Sequence, residues 1–135
     1  MEELTYDAFV QGCKELAKRV EYFPVDNMYG IPRGGTVVAV YLSHLTSFPV
    51  VEKDKINEKT LIVDDIVDSG KTMARYEELG YYIATLYYHK ECGVVPDVWV
   101  FEKTEFVKFP WETESSAKID YDIQRIGGDH GTTAR

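Results

Sequence analysis

Residues 60–72 read T-L-I-V-D-D-I-V-D-S-G-K-T. A β-branched, apolar run ends in the acidic pair Asp64 and Asp65; a third aspartate follows at Asp68, and then come Ser69, Gly70, Lys71 and Thr72. Carboxylates at such spacing repel and cost folding free energy unless a cation or ligand hydroxyls meet them. The turn downstream has the complementary character. Gly70 permits close backbone approach, Ser69 and Thr72 offer hydroxyls, and the free N–H groups of a starting helix, with its positive dipole end, receive a phosphate. The spacing is not that of a G-x-x-x-x-G-K-[ST] loop, because the residue five before Gly70 is Asp65. Carboxylates just ahead of a phosphate cradle suit a ligand with a vicinal diol and a metal close to its phosphate. Sugar phosphates have that shape.

Such a turn needs a buried strand before it and a helix after it, and the flanking sequence supplies both. Residues 5–21 place Phe9, Cys13, Leu16, Ala17 and Val20 at helical spacing behind a Thr5 cap, which predicts an amphipathic first helix. N-M-Y-G-I then reads as a short strand, P-R-G-G as a tight loop, and T-V-V-A-V-Y-L-S-H-L as a buried helix. P-V-V-E and T-L-I-V-D are the next expected strands. K-T-M-A-R-Y-E-E-L-G reads as a helix closed by Gly80, and Y-Y-I-A-T-L-Y-Y as another strand. Strands alternating with helices through short connections predict βαβ units and a mostly parallel sheet covered on both faces, with ligands at the carboxyl ends of its strands. Beyond P-D-V-W-V-F, short aromatic strands such as E-F-V-K-F-P-W-E predict a small lid at one edge.

Composition narrows the partners. The chain has 135 residues, 44% hydrophobic and 28% charged, enough for one globular domain with one core. A formal net charge of -8 argues against a nucleic-acid surface, which needs a basic face. Cys13 and Cys92 show neither CxxC spacing nor a nearby histidine pattern, so they read as reduced thiols of an intracellular protein. His44, His89 and His130 show no ligand spacing. No stretch approaches the roughly 18 apolar residues of a membrane span, and M-E-E-L-T-Y lacks the apolar region of a signal peptide.

Residues 60–72 resemble, position by position, the phosphoribosyl-pyrophosphate (PRPP) signature of type I phosphoribosyltransferases. Y-G-I-P-R-G-G at residues 29–35 resembles the family's pyrophosphate loop, in which a basic residue precedes glycine and the peptide before that basic residue is often cis. The resemblance spans residues 28–112 and is nearest to the purine members, xanthine-guanine and hypoxanthine phosphoribosyltransferases. It implies an α/β fold in which a mostly parallel central sheet with flanking helices carries a small C-terminal hood. One domain would divide into a core at residues 22–90, a hood at 91–112 and a tail at 113–135.

Residue roles follow from the same resemblance. Arg33, Gly34 and Gly35 would bind pyrophosphate. Asp64 and Asp65 would receive the ribose hydroxyls and help hold Mg²⁺. Asp68, Ser69, Gly70, Lys71 and Thr72 would surround the 5-phosphate, with Asp68 also the catalytic proton relay at the purine N7. On the acceptor side, Lys90 would donate to a 6-oxo group, Phe106 would stack on the base, and Val107 would offer its backbone to the 2-substituent. The implied reaction transfers the phosphoribosyl group of PRPP to guanine, xanthine or hypoxanthine, with Mg²⁺ as cofactor. The implied protein is a cytoplasmic homo-oligomer, dimer or tetramer, whose partners are PRPP and a purine base rather than nucleic acid or membrane.

Two segments depart from the family pattern. The long flexible loop that closes over the site in family enzymes is here reduced to residues 47–59, S-F-P-V-V-E-K-D-K-I-N-E-K, where Lys53, Lys55 and Lys59 are the available cations. A shortened lid keeps a second expectation open: a PRPP- or nucleotide-sensing module on the same fold with little catalysis. The tail carries a short helical pattern at residues 119–126 and a Gly-rich end, and reads as a segment that packs on a neighbour.

Overall fold

The computed structural model describes residues 2–67, 70–89, 91–102 and 107–111. Thr5 opens the first helix, α1 (Tyr6–Val20), by accepting a hydrogen bond from the Ala8 N–H at 3.1 Å; Asp7 in the first turn and Lys18 and Arg19 in the last suit the helix dipole. Its buried stripe contains the expected Phe9, Cys13, Leu16, Ala17 and Val20. Burial pushes the Cys13 thiol up to about 12, which leaves it protonated and unreactive.

Four strands, β2 (Asn27–Gly30), β3 (Thr60–Val67), β4 (Ile83–Tyr88) and β5 (Phe101–Glu102), form one parallel sheet in that order. Every residue of β3 and β4 is buried, as a parallel sheet covered on both faces requires. Helix α2 (Gly34–Thr46) joins α1 on one face, where Leu16, Val20, Val38, Leu42, Leu61 and Val63 pack together. Helix α3 (Lys71–Glu78) lies on the other, with Met73 and Tyr76 against Ile62 and Ile83.

The direction of the crossovers creates the site. After β2 the chain crosses one face through α2 and returns at Val50, which bridges Met28 on the side of β2 away from β3. After β3 it crosses the opposite face through α3 to reach β4. Right-handed crossovers running in opposite directions place their helices on opposite faces, and a crevice opens where the carboxyl ends of β2 and β3 part.

Three local expectations change. Residues 49–52 do not form a strand: only Val50 bridges, and Glu52 caps a 3-10 turn at Lys53–Lys55. Val50 is 39% exposed at this edge, so the apolar run buries too little to extend the sheet. Tyr81 and Tyr82 precede β4 rather than opening it. Glu2–Glu3 forms β1, unexpected from the sequence, in a two-stranded parallel pair with β6 (Val107–Lys108). That pair ties the hood to the amino-terminal segment. Phe109 of the hood belongs to the core: it is buried, stacks on Trp111 at 5.1 Å and meets Tyr87 edge-on at 5.7 Å. Trp111 in turn meets the Phe9 ring at 5.2 Å. No helix among the described residues is long and apolar enough to cross a membrane. The proposed tail lies outside the described residues.

Candidate functional site

The acidic pair stands near the carboxyl end of β3, at the crevice. Asp64 and Asp65 are 6% and 8% exposed. Both carboxylates turn back on the strand: Asp64 Oδ1 accepts from the Asp65 N–H at 2.8 Å, and Asp65 Oδ1 from the Ile66 N–H at 2.9 Å. Burial, then the neighbouring Asp64 charge and its side-chain hydrogen bond, hold the Asp65 carboxyl well above the ordinary carboxylate range. The backbone donors oppose this without overcoming it. A charge this unfavourable in the free protein is what a cation or a diol would relieve.

The P-R-G-G loop meets the acidic pair directly. Ile31 donates its N–H to the Val63 carbonyl at 2.8 Å, which pins the loop to the end of β3. The Pro32–Arg33 peptide is cis, as the resemblance implied, and Arg33 is the N-cap of α2 with no capping side-chain bond of its own. The first N–H groups of α2 therefore take no bond from a capping side chain. Glycine is needed at both following positions for close approach. A Cβ on Gly34 would run into the Asp65 carboxylate, and one on Gly35 would stand 2.6 Å from the Val63 carbonyl oxygen and 3.1 Å from Asp64 Oδ1.

On the other side of the crevice, Gly70 holds φ +80 as the N-cap of α3, again without a side-chain cap. A Cβ there would stand 2.5 Å from the Cys92 carbonyl oxygen. Lys71 and Thr72 occupy the first turn, Lys71 exposed and Thr72 half-buried. The structure thus brings Arg33, Gly34, Gly35, Asp64, Asp65, Gly70, Lys71 and Thr72 to the ends of two adjacent strands. Asp68, Ser69, Lys90 and Phe106 lie outside the described residues. Val107 lies in β6, paired through its backbone with Glu2.

Two features of the site escape sequence reasoning. Cys92, read as an ordinary thiol, lays its carbonyl over Gly70 and donates its Sγ–H to the Val94 carbonyl at 3.0 Å. Thr85 on β4 is the in-register partner of Asp64. Neither contact has a signal in the sequence, since each joins segments that only the fold brings together.

As donors for a divalent cation, Asp64 and Asp65 offer hard oxygens of the kind Mg²⁺ takes. No group of three or more His, Cys, Asp or Glu side chains placed to hold a metal occurs among the described residues. Any Mg²⁺ would draw its other oxygens from substrate and water, which is the usual way it is bound with phosphates.

No protein-family model matches the sequence, and no curated protein matches it either. Solved structures do. A purine phosphoribosyltransferase from Pyrococcus horikoshii Ot3 is 30% identical, with a TM-score of 0.72 over 82% of this chain and 93% of that one. A xanthine-guanine-hypoxanthine phosphoribosyltransferase from Helicobacter pylori is 20% identical, with a TM-score of 0.70 over 87% of this chain and 97% of that one. A hypothetical protein from Neisseria gonorrhoeae with bound ppGpp is 19% identical, with a TM-score of 0.62 over 87% and 94%. At these last two identities the likeness speaks for the fold alone.

Proposed function

This chain belongs to the type I phosphoribosyltransferase family, and from that premise we propose that it transfers the phosphoribosyl group of PRPP to a 6-oxopurine, releasing pyrophosphate. The observation that carries this reading is the meeting of the glycine pair of α2 with the acidic pair of β3 at the parting of β2 and β3.

Displacement at ribose C1 passes through an oxocarbenium-like state, with positive charge on the sugar and growing negative charge on the leaving group. Asp64 and Asp65 would accept hydrogen bonds from the ribose 2- and 3-hydroxyls, and their charge favours the cationic sugar. Arg33 and the N–H groups of Gly34 and Gly35 would receive the departing pyrophosphate. The start of α3, with Ser69, Gly70, Lys71 and Thr72, would cradle the 5-phosphate. Asp68 would exchange a proton at the purine N7 while N9 attacks. Lys90 would donate to the 6-oxo group, Phe106 would stack on the base, and the Val107 backbone would meet the 2-substituent. Asp64 and Asp65 would hold Mg²⁺, which would supply charge neutralisation on the leaving group.

A second reading, a nucleotide-sensing module, is favoured by the short connection between α2 and β3. One 3-10 turn, Lys53–Lys55, stands there in place of a long closing loop. The ppGpp bound to the Neisseria protein is a ligand of the sort such a module would take. Incubation with Mg²⁺, PRPP and each nucleobase, following monophosphate formation, decides between the two. Turnover with guanine, xanthine or hypoxanthine supports the enzyme; tight binding of Mg-PRPP with no transfer to any base supports the sensor.

A further inference from the structure

The buried polar side chains among the described residues are Asn27, Thr60, Asp64, Asp65 and Thr85. Asn27 and Thr60 satisfy each other at the start of the sheet, where the Thr60 hydroxyl donates to Asn27 Oδ1 at 2.6 Å and accepts from the Asn57 N–H at 2.9 Å. Asp64 and Asp65 belong to the candidate site. Thr85 is the exception: its side chain is 0% exposed, and its hydroxyl has no hydrogen-bond partner among the described residues. Ala84 and Leu86 on either side are also 0% exposed. Valine has the shape of threonine without the unpaired hydroxyl and would suit those surroundings better. A residue that breaks the local rule in a well-packed sheet points to a use outside packing.

Register supplies the use. Thr85 is the Cα partner of Asp64, one step along from the Ile62 and Ile83 pair neighbours on the same face. In-register residues of adjacent strands project to one side of the sheet, with the strands about 4.8 Å apart. The Thr85 hydroxyl and the Asp64 side chain therefore stand in register on one face of the sheet. We propose that Thr85 is a positioning residue for PRPP: its hydroxyl donates to the Asp64 carboxylate when that carboxylate turns to receive the ribose hydroxyls. This rests on the PRPP reading of the site. The unpaired hydroxyl is a cost carried by the free protein and relieved in the complex, so Thr85 exchanges a little stability for affinity.

Thr85→Val and Thr85→Ser test the assignment by melting, by titration with Mg²⁺ and PRPP, and by steady-state kinetics. Thr85→Val should melt at or above the parent temperature when free. Its Kd and KM for PRPP should rise about tenfold, the loss of one hydrogen bond to a charged group, with kcat little changed. Thr85→Ser should restore PRPP affinity. Parent-like PRPP binding by Thr85→Val overturns the assignment while the PRPP reading stands. A lower melting temperature together with weaker binding, unrescued by serine, makes Thr85 a packing residue and overturns it as well. A parent protein that binds no Mg-PRPP overturns the functional reading and this inference together.

Discussion

At the scale of single residues, Asp65 carries the sharpest consequence. Its carboxyl titrates well above the ordinary range because it is buried and faces Asp64. The folded state therefore keeps a proton that the unfolded chain releases near pH 4, and stability falls as pH rises from there through the raised value. Asp65→Asn removes that loss and still offers an oxygen to the Ile66 N–H. The variant should melt above the parent at pH 7 to 8, with an advantage that shrinks toward pH 4, while Mg-PRPP binding weakens. Melting curves across that range check the slope; an advantage independent of pH would mean that the carboxyl is not the source. Lys90 makes a prediction of specificity instead. A donor matched to the 6-oxo group penalises an acceptor that lacks it, so adenine should be a poor substrate, and Lys90→Ala should lower kcat/KM for guanine by about 2 kcal/mol with PRPP binding nearly unchanged. Equal use of adenine and guanine by the parent protein rules that role out.

At the scale of elements, the contact between the start of α2 and the end of β3 decides how two adjacent glycines differ. A Cβ on Gly34 meets a side chain, the Asp65 carboxylate, which can rotate away once it gives up the Ile66 N–H. A Cβ on Gly35 meets the Val63 carbonyl and the Asp64 Cα, which are strand backbone and cannot. Gly35→Ala should therefore cost more stability, on the order of 1–3 kcal/mol as overpacking does, and Gly34→Ala less. The order reverses for function: Gly34→Ala should fold yet bind Mg-PRPP poorly, because it would displace a carboxylate proposed to meet the ligand. Denaturant midpoints and PRPP titration of the two variants measure both orders. Elements with local signals were legible in the sequence. The Thr5 cap and the spacing from Phe9 to Val20 gave α1 within a residue, and the run from Thr60 gave β3, since burial on both faces leaves a continuous apolar stretch. Residues 49–52 misled because an apolar run says nothing of whether a partner strand extends beside it. Strand β1 was silent because Glu2 and Glu3 pair through backbone with residues more than a hundred positions away. The glycines of the loop were legible as glycines, but the carboxylate lying against Gly34 and the orphaned hydroxyl opposite Asp64 exist only once the strands are in register.

For the whole molecule, the proposed reading has folding and binding share the same unfavourable charge pair, so ligand stabilisation should be synergistic. Mg²⁺ alone would meet two carboxylates turned back on their own backbone, and PRPP alone would bring pyrophosphate charge toward Asp64 and Asp65 without a counterion. Each by itself should raise the melting temperature little. On the proposed reading the two together would neutralise the carboxylate pair and the leaving group, with the diol hydrogen-bonded to the carboxylates, and a ligand present at a hundred times its Kd adds about 2.7 kcal/mol to the folded state. For a domain of this size that is a rise on the order of 10 °C. A shift with PRPP alone as large as with both would remove Mg²⁺ from the site. Asp68→Asn then separates binding from transfer. Asparagine keeps the size and hydrogen-bonding capacity of aspartate, so the joint shift should survive in the variant. If Asp68 relays a proton at the purine, kcat should fall roughly 10²-fold or more, the usual contribution of general acid–base catalysis. If the parent shows the joint shift but no transfer, the short connection at residues 47–59 has left a binding module; if the variant turns over as the parent does, transfer stands and Asp68 only shapes the phosphate loop.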